Sequence, residues 1–191
     1  SSATHEDEWR VAVKQVKDGK FSTYANKSME VGMMIESMKP EGMFTVDLNA
    51  SHEKTYLLVC AGSGITPIIS IAKSVLKNEP KSSVVIVYGS KSPEETIFKS
   101  ELDALNEANE KLSMYHSYSK YDEVNCGKTR VDAKLVKEYL STKSIASVDD
   151  VFVCGPEEMI FDVKEGFEGS SLLKNKVHFE LFTTPTAKNA E

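Results

Sequence analysis

Cysteine is scarce in this 191-residue sequence, and the three cysteines form no recognisable framework. Cys60, Cys126 and Cys154 are far apart, odd in number and without a C-x-x-C pair, which argues against a disulfide scaffold or a cysteine metal site. The four histidines are also scattered, so the sequence predicts no metal cluster. This cysteine usage predicts a reducing, cytoplasmic setting.

Long apolar runs and an excess of one charge sign are missing as well. No apolar run approaches the length of a membrane span, and no signal peptide opens the sequence. The net charge is −6 with both signs mixed along the chain, so the sequence predicts neither a nucleic-acid partner nor a membrane partner. The apolar fraction of 40% is enough for the core of one domain or of two small ones.

The most informative stretch is Tyr56–Ser70, which predicts a strand, a tight turn and a helix. An apolar run of strand length, Tyr56–Cys60, gives way to the small residues Ala61–Gly64. Thr66 and Pro67 then fit the N-cap and the first position of a helix. The glycines of the turn have no Cβ, so a flat ring or a phosphate can approach the backbone. A G-x-G pattern alone is equally typical of an ordinary strand–helix corner, and the G-x-S-x-G frame of a hydrolase is not matched.

The whole chain predicts an α/β fold, in which a partial antiparallel β-barrel precedes a doubly wound parallel sheet. Residues 9–48 contain strand-like runs that begin at Trp9, Val31 and Phe44, with a short helix at Thr23–Lys27. This is too little to close a barrel, and the unpaired edges predict that the chain begins inside a domain. From Thr55 onward, strands alternate with helices, which favours a parallel sheet with ligands at the carboxyl ends of its strands. The further strands are predicted at 84–88, 112–119, 150–154 and 177–182, and the further helices are predicted to begin at Ser92, after Asp132 and at Glu157.

The nucleotide pattern differs from that of an ordinary NAD domain. Position 67 is proline where G-x-G-x-x-G requires glycine, and no acid follows the second strand to hold a ribose. Polar and basic residues follow the strands instead, which suits the 2′-phosphate of NADP. These residues are Ser90, Lys91, Ser119, Lys120, Lys128 and Arg130. Such residues are also typical of a solvated loop.

A second turn of small residues follows the strand at 150–154. Cys154-Gly155-Pro156 is expected to face the same crevice as Gly62–Gly64, so that a flat ring can lie between the two turns. The alternative for Cys154 is a buried structural thiol, because free cysteine often packs as a small hydrophobe.

Four motifs, in this order and spacing, resemble those of the ferredoxin–NADP reductase superfamily. They are Ala61–Pro67, Tyr88–Ser90, Cys154–Pro156 and Glu180–Phe182, and the segments Gly19–Asn26 and Pro40–Phe44 resemble the flavin domain of the same proteins. The resemblance covers nearly the whole chain. It extends to the reductases of phenylacetic acid degradation, in which a similar E-x-F-x-T-P segment leads into a plant-type 2Fe–2S domain.

This resemblance implies three segments and a set of cofactors. Residues 1–52 would be the C-terminal part of an FAD-binding barrel, 53–183 an NAD(P)-binding domain, and 184–191 a linker towards an absent ferredoxin domain. The implied cofactors are FAD and NADP or NAD, with a 2Fe–2S cluster expected only in the full-length protein. Hydride would pass from NAD(P)H to the flavin, and single electrons would then reach an oxygenase partner. The family's Arg-x-Tyr-Ser segment and its cysteine quartet are missing, so the chain is expected to be a fragment.

The resemblance also implies roles for individual residues. Phe21, Ser22 and Thr23 match the segment that binds the FAD pyrophosphate, and Gly62, Ser63, Gly64, Ile65 and Thr66 match the turn for the nicotinamide and its pyrophosphate. Ser119 and Lys120 match a Ser-Arg pair on the adenosine phosphate, and lysine at 120 leaves both NADP and NAD open. Cys154, Gly155 and Pro156 match the wall beside the reactive nicotinamide carbon, and Glu180 and Phe182 match a strand near the flavin. Cys154 and Glu180 are the catalytic candidates, and no residue is assigned to a metal.

Two other functions fit the same sequence. A nucleotide-binding module could sense redox state without turnover, and the reductase of a different oxygenase would share all of these motifs.

Overall fold

A five-stranded parallel sheet forms the centre of the computed structural model, which describes residues 2–120 and 129–182. The strands are β1 (Thr55–Ala61), β2 (Ser83–Ser90), β3 (Leu112–Tyr118), β4 (Asp150–Gly155) and β5 (Val177–Leu181), in the spatial order β3-β2-β1-β4-β5. All four neighbouring pairs are parallel. The strand order reverses between β1 and β4, and in open sheets of this kind the crevice at such a switch point is where ligands bind.

Helices cover both faces of the sheet, as expected for a doubly wound domain. The helices of the described chain are α1 (Lys20–Lys27), α2 (Ile65–Asn78), α3 (Lys99–Glu107), α4 (Ala133–Thr142) and α5 (Glu157–Phe167), of which α2 to α5 cover the sheet. Side chains of α2 and α3, such as Ile68 and Leu102, pack on one face, and side chains of α4 and α5, such as Val136 and Val163, pack on the other. The prediction of a doubly wound parallel sheet is therefore confirmed.

The strands β1, β2 and β4 were predictable because both faces of the sheet are buried there. Leu57 and Leu58 point to opposite faces, and neither is exposed to solvent. A strand covered on both sides has a continuous apolar run in its sequence, without polar alternation. The helix α4 has an equally clear signal, because the Asp132 carboxylate accepts a hydrogen bond from the amide of Leu135 at 2.7 Å.

Two predicted helix starts in the sheet domain are wrong. The helix expected at Ser92 begins only at Lys99, because an isolated turn closes at Thr96, whose hydroxyl donates to the carbonyl oxygen of Ser92, and Phe98 then adopts a φ of 60°. The left-handed backbone at Phe98 separates this turn from α3. The second error concerns Thr66, which lies inside α2; the helix follows directly on a 3₁₀ turn at Gly62–Gly64.

The strands predicted in residues 9–48 are absent from the described part of the chain, so the structure does not show the partial antiparallel barrel. The regular element before β1 is α1, which starts at Lys20, earlier than expected. The apolar side chains of the predicted strands face solvent, and Val31, Met34 and Met38 are almost fully exposed. Alternation of apolar and polar residues indicates which side chains would lie on each face of a strand. The strand itself forms only where a neighbouring strand accepts and donates its backbone hydrogen bonds.

The segment before α1 is attached to the sheet domain by ion pairs. Lys73 on α2 contacts Glu6 at 2.7 Å and Glu101 on α3 at 2.5 Å, and Arg10 reaches the same Glu101 carboxylate at 3.5 Å. Hydrogen bonding from Lys73 lowers the pKa of Glu6 to about 2. Ala3 is buried beside this network, so the start of the described chain packs against α2.

Candidate functional site

The two glycine-bearing turns lie against each other at the switch point of the sheet. β1 leads into the turn Gly62–Gly64, and the neighbouring β4 leads into Pro156. A Cβ built on Gly64 would overlap the carbonyl oxygen of Cys154 and would come within 3.0 Å of the Gly155 amide nitrogen. Glycine is needed at position 64 because the backbone of the neighbouring turn occupies the space of a side chain. The prediction from sequence correctly placed the two turns together. It attributed the glycine at position 64 to the approach of a ligand, whereas the structure attributes it to the neighbouring turn.

A cavity of about 470 Å³ opens beside these turns, along the carboxyl ends of β1, β2 and β3. Gly62, Ser90, Ser119 and Arg130 line it, and Met159 of α5 closes one side. Its volume lies in the range of small-molecule and cofactor sites. The cavity therefore joins the glycine turn of β1 to the polar residues that follow β2 and β3.

A buried tyrosine holds the glycine turn in place. The Tyr88 hydroxyl donates to the carbonyl oxygen of Gly62 at 3.1 Å, and Tyr88 is fully buried. Burial raises the pKa of Tyr88, so the hydroxyl stays protonated and remains a donor. Gly62 has a φ of 55°, a conformation that glycine adopts without steric cost.

The expected phosphate residues fall in different places. Ser90 and Ser119 line the cavity, and the Ser119 amide donates to the Ser90 carbonyl oxygen at 3.0 Å, which joins the ends of β2 and β3. Lys120 is exposed and does not line the cavity, whereas Arg130 does. Lys128 lies outside the described residues.

The cationic side chains at this end of the cavity have carboxylate neighbours. Lys91 pairs with Glu95 at 3.1 Å, and Arg130 lies 3.9 Å from Glu158. Both pairs are exposed, so each contributes little to stability and either cation can turn to an incoming anion.

Cys154 and Glu180 lie side by side in the sheet on the other side of the turns. They are register partners in β4 and β5, and Cys154 is a fully buried free thiol. Burial, and to a smaller extent the Glu180 charge, raises the pKa of Cys154 to about 12. The thiol is therefore protonated at neutral pH and has the character of an apolar wall. Glu180 also lines a second cavity of about 310 Å³ with Phe44 and Pro67.

The remaining expected site residues differ in their exposure to a ligand. The Ser22 hydroxyl accepts from the Val16 amide at 3.1 Å and donates to the Gly19 carbonyl oxygen at 3.4 Å, so it stabilises the start of α1. Ile65 is fully buried in the core, whereas Ser63 and Thr66 are half-buried at the turn. The other expected residues, Phe21, Thr23, Pro156 and Phe182, lie at or near the surface.

Sequence reasoning assigned no role to several residues that line the cavity of about 470 Å³, among them Lys14, Met159 and Asp162. The Nζ atom of Lys14 lies 3.6 Å from the position that a Cβ on Gly62 would take. Lys14 belongs to the irregular segment before α1, far from the turn in sequence and outside every motif, so no pattern connected the two. In the described ranges, no group of three histidine, cysteine or acidic residues could hold a metal ion. Within the same ranges, no helix has both the length and the apolar character of a membrane span.

A doubly wound sheet with two glycine-bearing turns at its switch point and an adjoining cavity defines a nucleotide-binding domain. Comparison with known proteins agrees with this class. Residues 58–165 match the family described as the oxidoreductase NAD-binding domain, and the chain belongs to that family.

Two curated relatives are components of larger enzyme systems. The E component of 1,2-phenylacetyl-CoA epoxidase from Escherichia coli is 31% identical over 92% of this chain and 50% of its own length. The ferredoxin reductase component of 3-ketosteroid-9-alpha-monooxygenase from Rhodococcus rhodochrous is 31% identical over 96% of this chain and 49% of its own length. The chain thus spans about half the length of these relatives.

The fold also matches a solved structure with both expected cofactors. The ferredoxin NADP+ reductase from Neisseria gonorrhoeae, solved with bound FAD and NADP, aligns with a TM-score of 0.64 at 18% identity and covers 87% of this chain and 71% of that one. At this identity the likeness shows the fold.

Proposed function

We propose that this chain is part of an NAD(P)H-dependent flavin oxidoreductase of the ferredoxin reductase type. NAD(P)H would be its electron donor, and FAD would be its flavin cofactor. The electrons would then pass to an iron–sulfur centre and from there to an oxygenase. The single observation that carries this proposal is the packing of Gly64 against the Cys154–Gly155 backbone, beside the 470 Å³ cavity. This packing brings two turns of small residues to one point, where a flat ring can lie against backbone.

The residues around the cavity fit an NAD(P) molecule. Gly62 offers a backbone without a Cβ, and Ser119 and Arg130 supply hydroxyl and guanidinium donors for phosphate and ribose oxygens. Ser90 lines the cavity too, but its hydroxyl oxygen is buried. We assign the nicotinamide to the turns Gly62–Thr66 and Cys154–Pro156, and the adenosine phosphate to the end of the cavity near Ser119 and Arg130.

Two sets of residues are our candidates for contacts with the flavin. Glu180 and Pro67 border the 310 Å³ cavity next to Cys154. The first turn of α1 offers the backbone N–H groups of Phe21 and Ser22 to a pyrophosphate, whereas the Thr23 amide already donates to the Gly19 carbonyl oxygen at 3.0 Å and leaves its hydroxyl for such a contact. Because the Ser22 hydroxyl already makes two hydrogen bonds within the chain, Ser22 would bind a pyrophosphate through its backbone N–H group. Residues 1–52 would then belong to the flavin domain and residues 53–183 to the nucleotide domain, with 184–191 as a linker.

Bound together, the two cofactors supply hydride transfer followed by one-electron steps. The contribution of this chain is to orient the rings. We assign the protonated thiol of Cys154 and the backbone of Gly155 to an uncharged wall, which would exclude water from one face of a bound ring. Glu180 is the register partner of Cys154, so its carboxylate is the one nearest to this wall along the sheet.

The relatives support a narrower proposal for the acceptor. Both curated relatives are named as components of systems that oxidise an organic substrate, a phenylacetyl-CoA epoxidase and a ketosteroid monooxygenase. We infer that this protein passes electrons to an oxygenase, with the degradation of phenylacetate or another aromatic acid as the first candidate. Cys60 and Cys154 are buried free thiols, which suits a reducing cytoplasm.

Purification of the protein from its complete coding sequence tests the proposed function. A yellow protein whose flavin absorbance bleaches on anaerobic addition of NADPH or NADH, and which reduces a dye such as ferricyanide, is the expected result. A colourless protein that binds nucleotide but reduces no dye would contradict it and favour a non-catalytic redox-sensing module. Supplying reductase and oxygenase together with phenylacetyl-CoA, and measuring the oxidised product, tests the acceptor separately.

A further inference from the structure

We propose that Lys14 binds the diphosphate of the nicotinamide dinucleotide, so that the segment before α1 completes the nucleotide site. This inference rests on the proposed function and adds a residue that no motif contains. The position of Lys14 is its first support. Its ammonium group lies over the Gly62 turn and lines the same cavity as Ser90 and Ser119.

The charges around the cavity are the second support. Lys91 and Arg130 have carboxylate neighbours, and the Asp162 carboxylate accepts the amide of Ala133 at 2.6 Å. No carboxylate of residues 2–120 and 129–182 forms an ion pair with Lys14. Among the lysine and arginine side chains that line the cavity in the described residues, Lys14 is therefore the one without a carboxylate partner. It lies at the end of the cavity that is formed by the Gly62 turn.

The segment that carries Lys14 is held by hydrogen bonds on both sides of it. The Asn26 side chain donates to the carbonyl oxygen of Val13 at 3.0 Å, and the Val16 amide donates to the Ser22 hydroxyl at 3.1 Å. Further towards the start of the chain, Glu6 is paired with Lys73 of α2. The backbone around Lys14 is thus tied to α1, and the chain before it is tied to α2, which keeps Lys14 beside the glycine turn.

The geometry also indicates which phosphate Lys14 meets. The glycine turn and the Ser119–Arg130 region border different parts of the cavity, because they follow β1 and β3, which are separated by β2. A dinucleotide that spans the cavity would place its diphosphate near the turn and the adenosine phosphate near Ser119. Lys14 should therefore act equally on NADH and NADPH, which share the diphosphate, whereas the Ser119 end should tell them apart.

Calorimetric titration of the full-length protein with NAD+ and with NADP+ tests this inference. Lys14→Met should weaken both affinities by a similar factor, roughly three- to tenfold, as expected for a partly exposed charge contact. Lys14→Arg should restore most of the affinity, because it keeps the charge. Lys17→Met is the matched control, since Lys17 belongs to the same segment, is exposed and does not line the cavity.

Unchanged affinities in Lys14→Met, or an equal loss in Lys17→Met, would overturn the role of Lys14 while leaving the proposed function intact. A loss confined to NADP+ would also overturn it, because Lys14 would then contact the 2′-phosphate. A wild-type protein that binds neither nucleotide would refute the proposed function, and the role of Lys14 with it. Equal melting temperatures of the lysine variants show that the comparison concerns binding alone.

Discussion

Gly64 lies directly against the carbonyl group of Cys154, although the two residues belong to different strand–helix turns. β1 and β4 are neighbours in the sheet, and each ends in a turn at this point. Strand order alone would bring the two turns near each other, and the missing Cβ allows their backbones to touch. The nucleotide site that we propose depends on this contact.

Replacing Gly64 with alanine should destabilise the domain. The new Cβ would collide with backbone, which cannot move aside as a flexible side chain can, so we expect a loss of about 1–3 kcal/mol in the free energy of unfolding. Urea unfolding measures this loss directly. Ser63→Ala, in the same turn, is the control and should unfold as the wild type does. A Gly64→Ala protein of wild-type stability would show that the two turns do not touch.

Replacing Tyr88 with phenylalanine should loosen the Gly62 turn and weaken NAD(P)H binding. The variant loses the hydrogen bond to the Gly62 carbonyl oxygen, which is worth about 0.5–1.5 kcal/mol. Tyr139→Phe removes a similar bond, from a tyrosine hydroxyl to the Met114 carbonyl oxygen at 3.0 Å, away from the cavity. Both variants should lose similar stability, but only Tyr88→Phe should raise the dissociation constant of the nucleotide. Equal nucleotide affinity in both variants would argue against a role of Tyr88 in positioning the turn.

The 2′-phosphate of NADPH should be recognised by Ser119 and Arg130 more than by Lys120. Ser119→Ala and Arg130→Ala remove side chains that line the cavity, and a lost hydrogen bond to a charged phosphate costs about 1.5–3 kcal/mol. Both variants should therefore lose NADPH affinity by about tenfold or more while NADH affinity changes little. Lys120→Ala should have the smaller effect, because Lys120 does not line the cavity. Equal losses of affinity for NADH and NADPH would show that Ser119 and Arg130 do not bind the 2′-phosphate.

Acid should weaken the attachment of the segment before α1. The pKa of Glu6 is lowered to about 2, mainly by hydrogen bonding from Lys73, so its carboxylate stabilises the folded state at neutral pH. This contribution is present above the ordinary pKa of about 4.5 and is lost as the pH falls from there towards 2. Urea midpoints measured between pH 6 and pH 3 should fall more steeply for the wild type than for Glu6→Gln. Parallel curves would mean that the Glu6–Lys73 pair contributes nothing.

Much of the sheet domain could be predicted from sequence because its signals are local. The apolar runs of β1 and β4 and the cap at Asp132 report directly on burial and on helix starts. Residues 9–48 show the limit of this reasoning, because an alternating run such as the one at Val31 indicates a strand without showing whether a partner strand is present. The helix start at Ser92 failed for a similar reason, since the left-handed backbone at Phe98 has no sequence signature.

The candidate site also has one part that could be predicted from the sequence and one part that could not. The turns at Gly62–Gly64 and Cys154–Pro156 were predictable, since strand ends in a parallel sheet meet at one edge. Lys14 was not, because its approach to Gly62 depends on the path of an irregular segment. The position of Arg130 inside the cavity and of Lys120 outside it likewise follows from loop geometry.

Hydrogen exchange of the full-length protein, followed by mass spectrometry with and without NADP+, tests the central claim most directly. We predict slower exchange in peptides that contain Gly62–Thr66 and Cys154–Pro156, and unchanged exchange at the opposite end of the sheet, around Glu79 and Asp150. Protection at Glu79 and Asp150, or protection of one turn without the other, would contradict a nucleotide site formed by both turns.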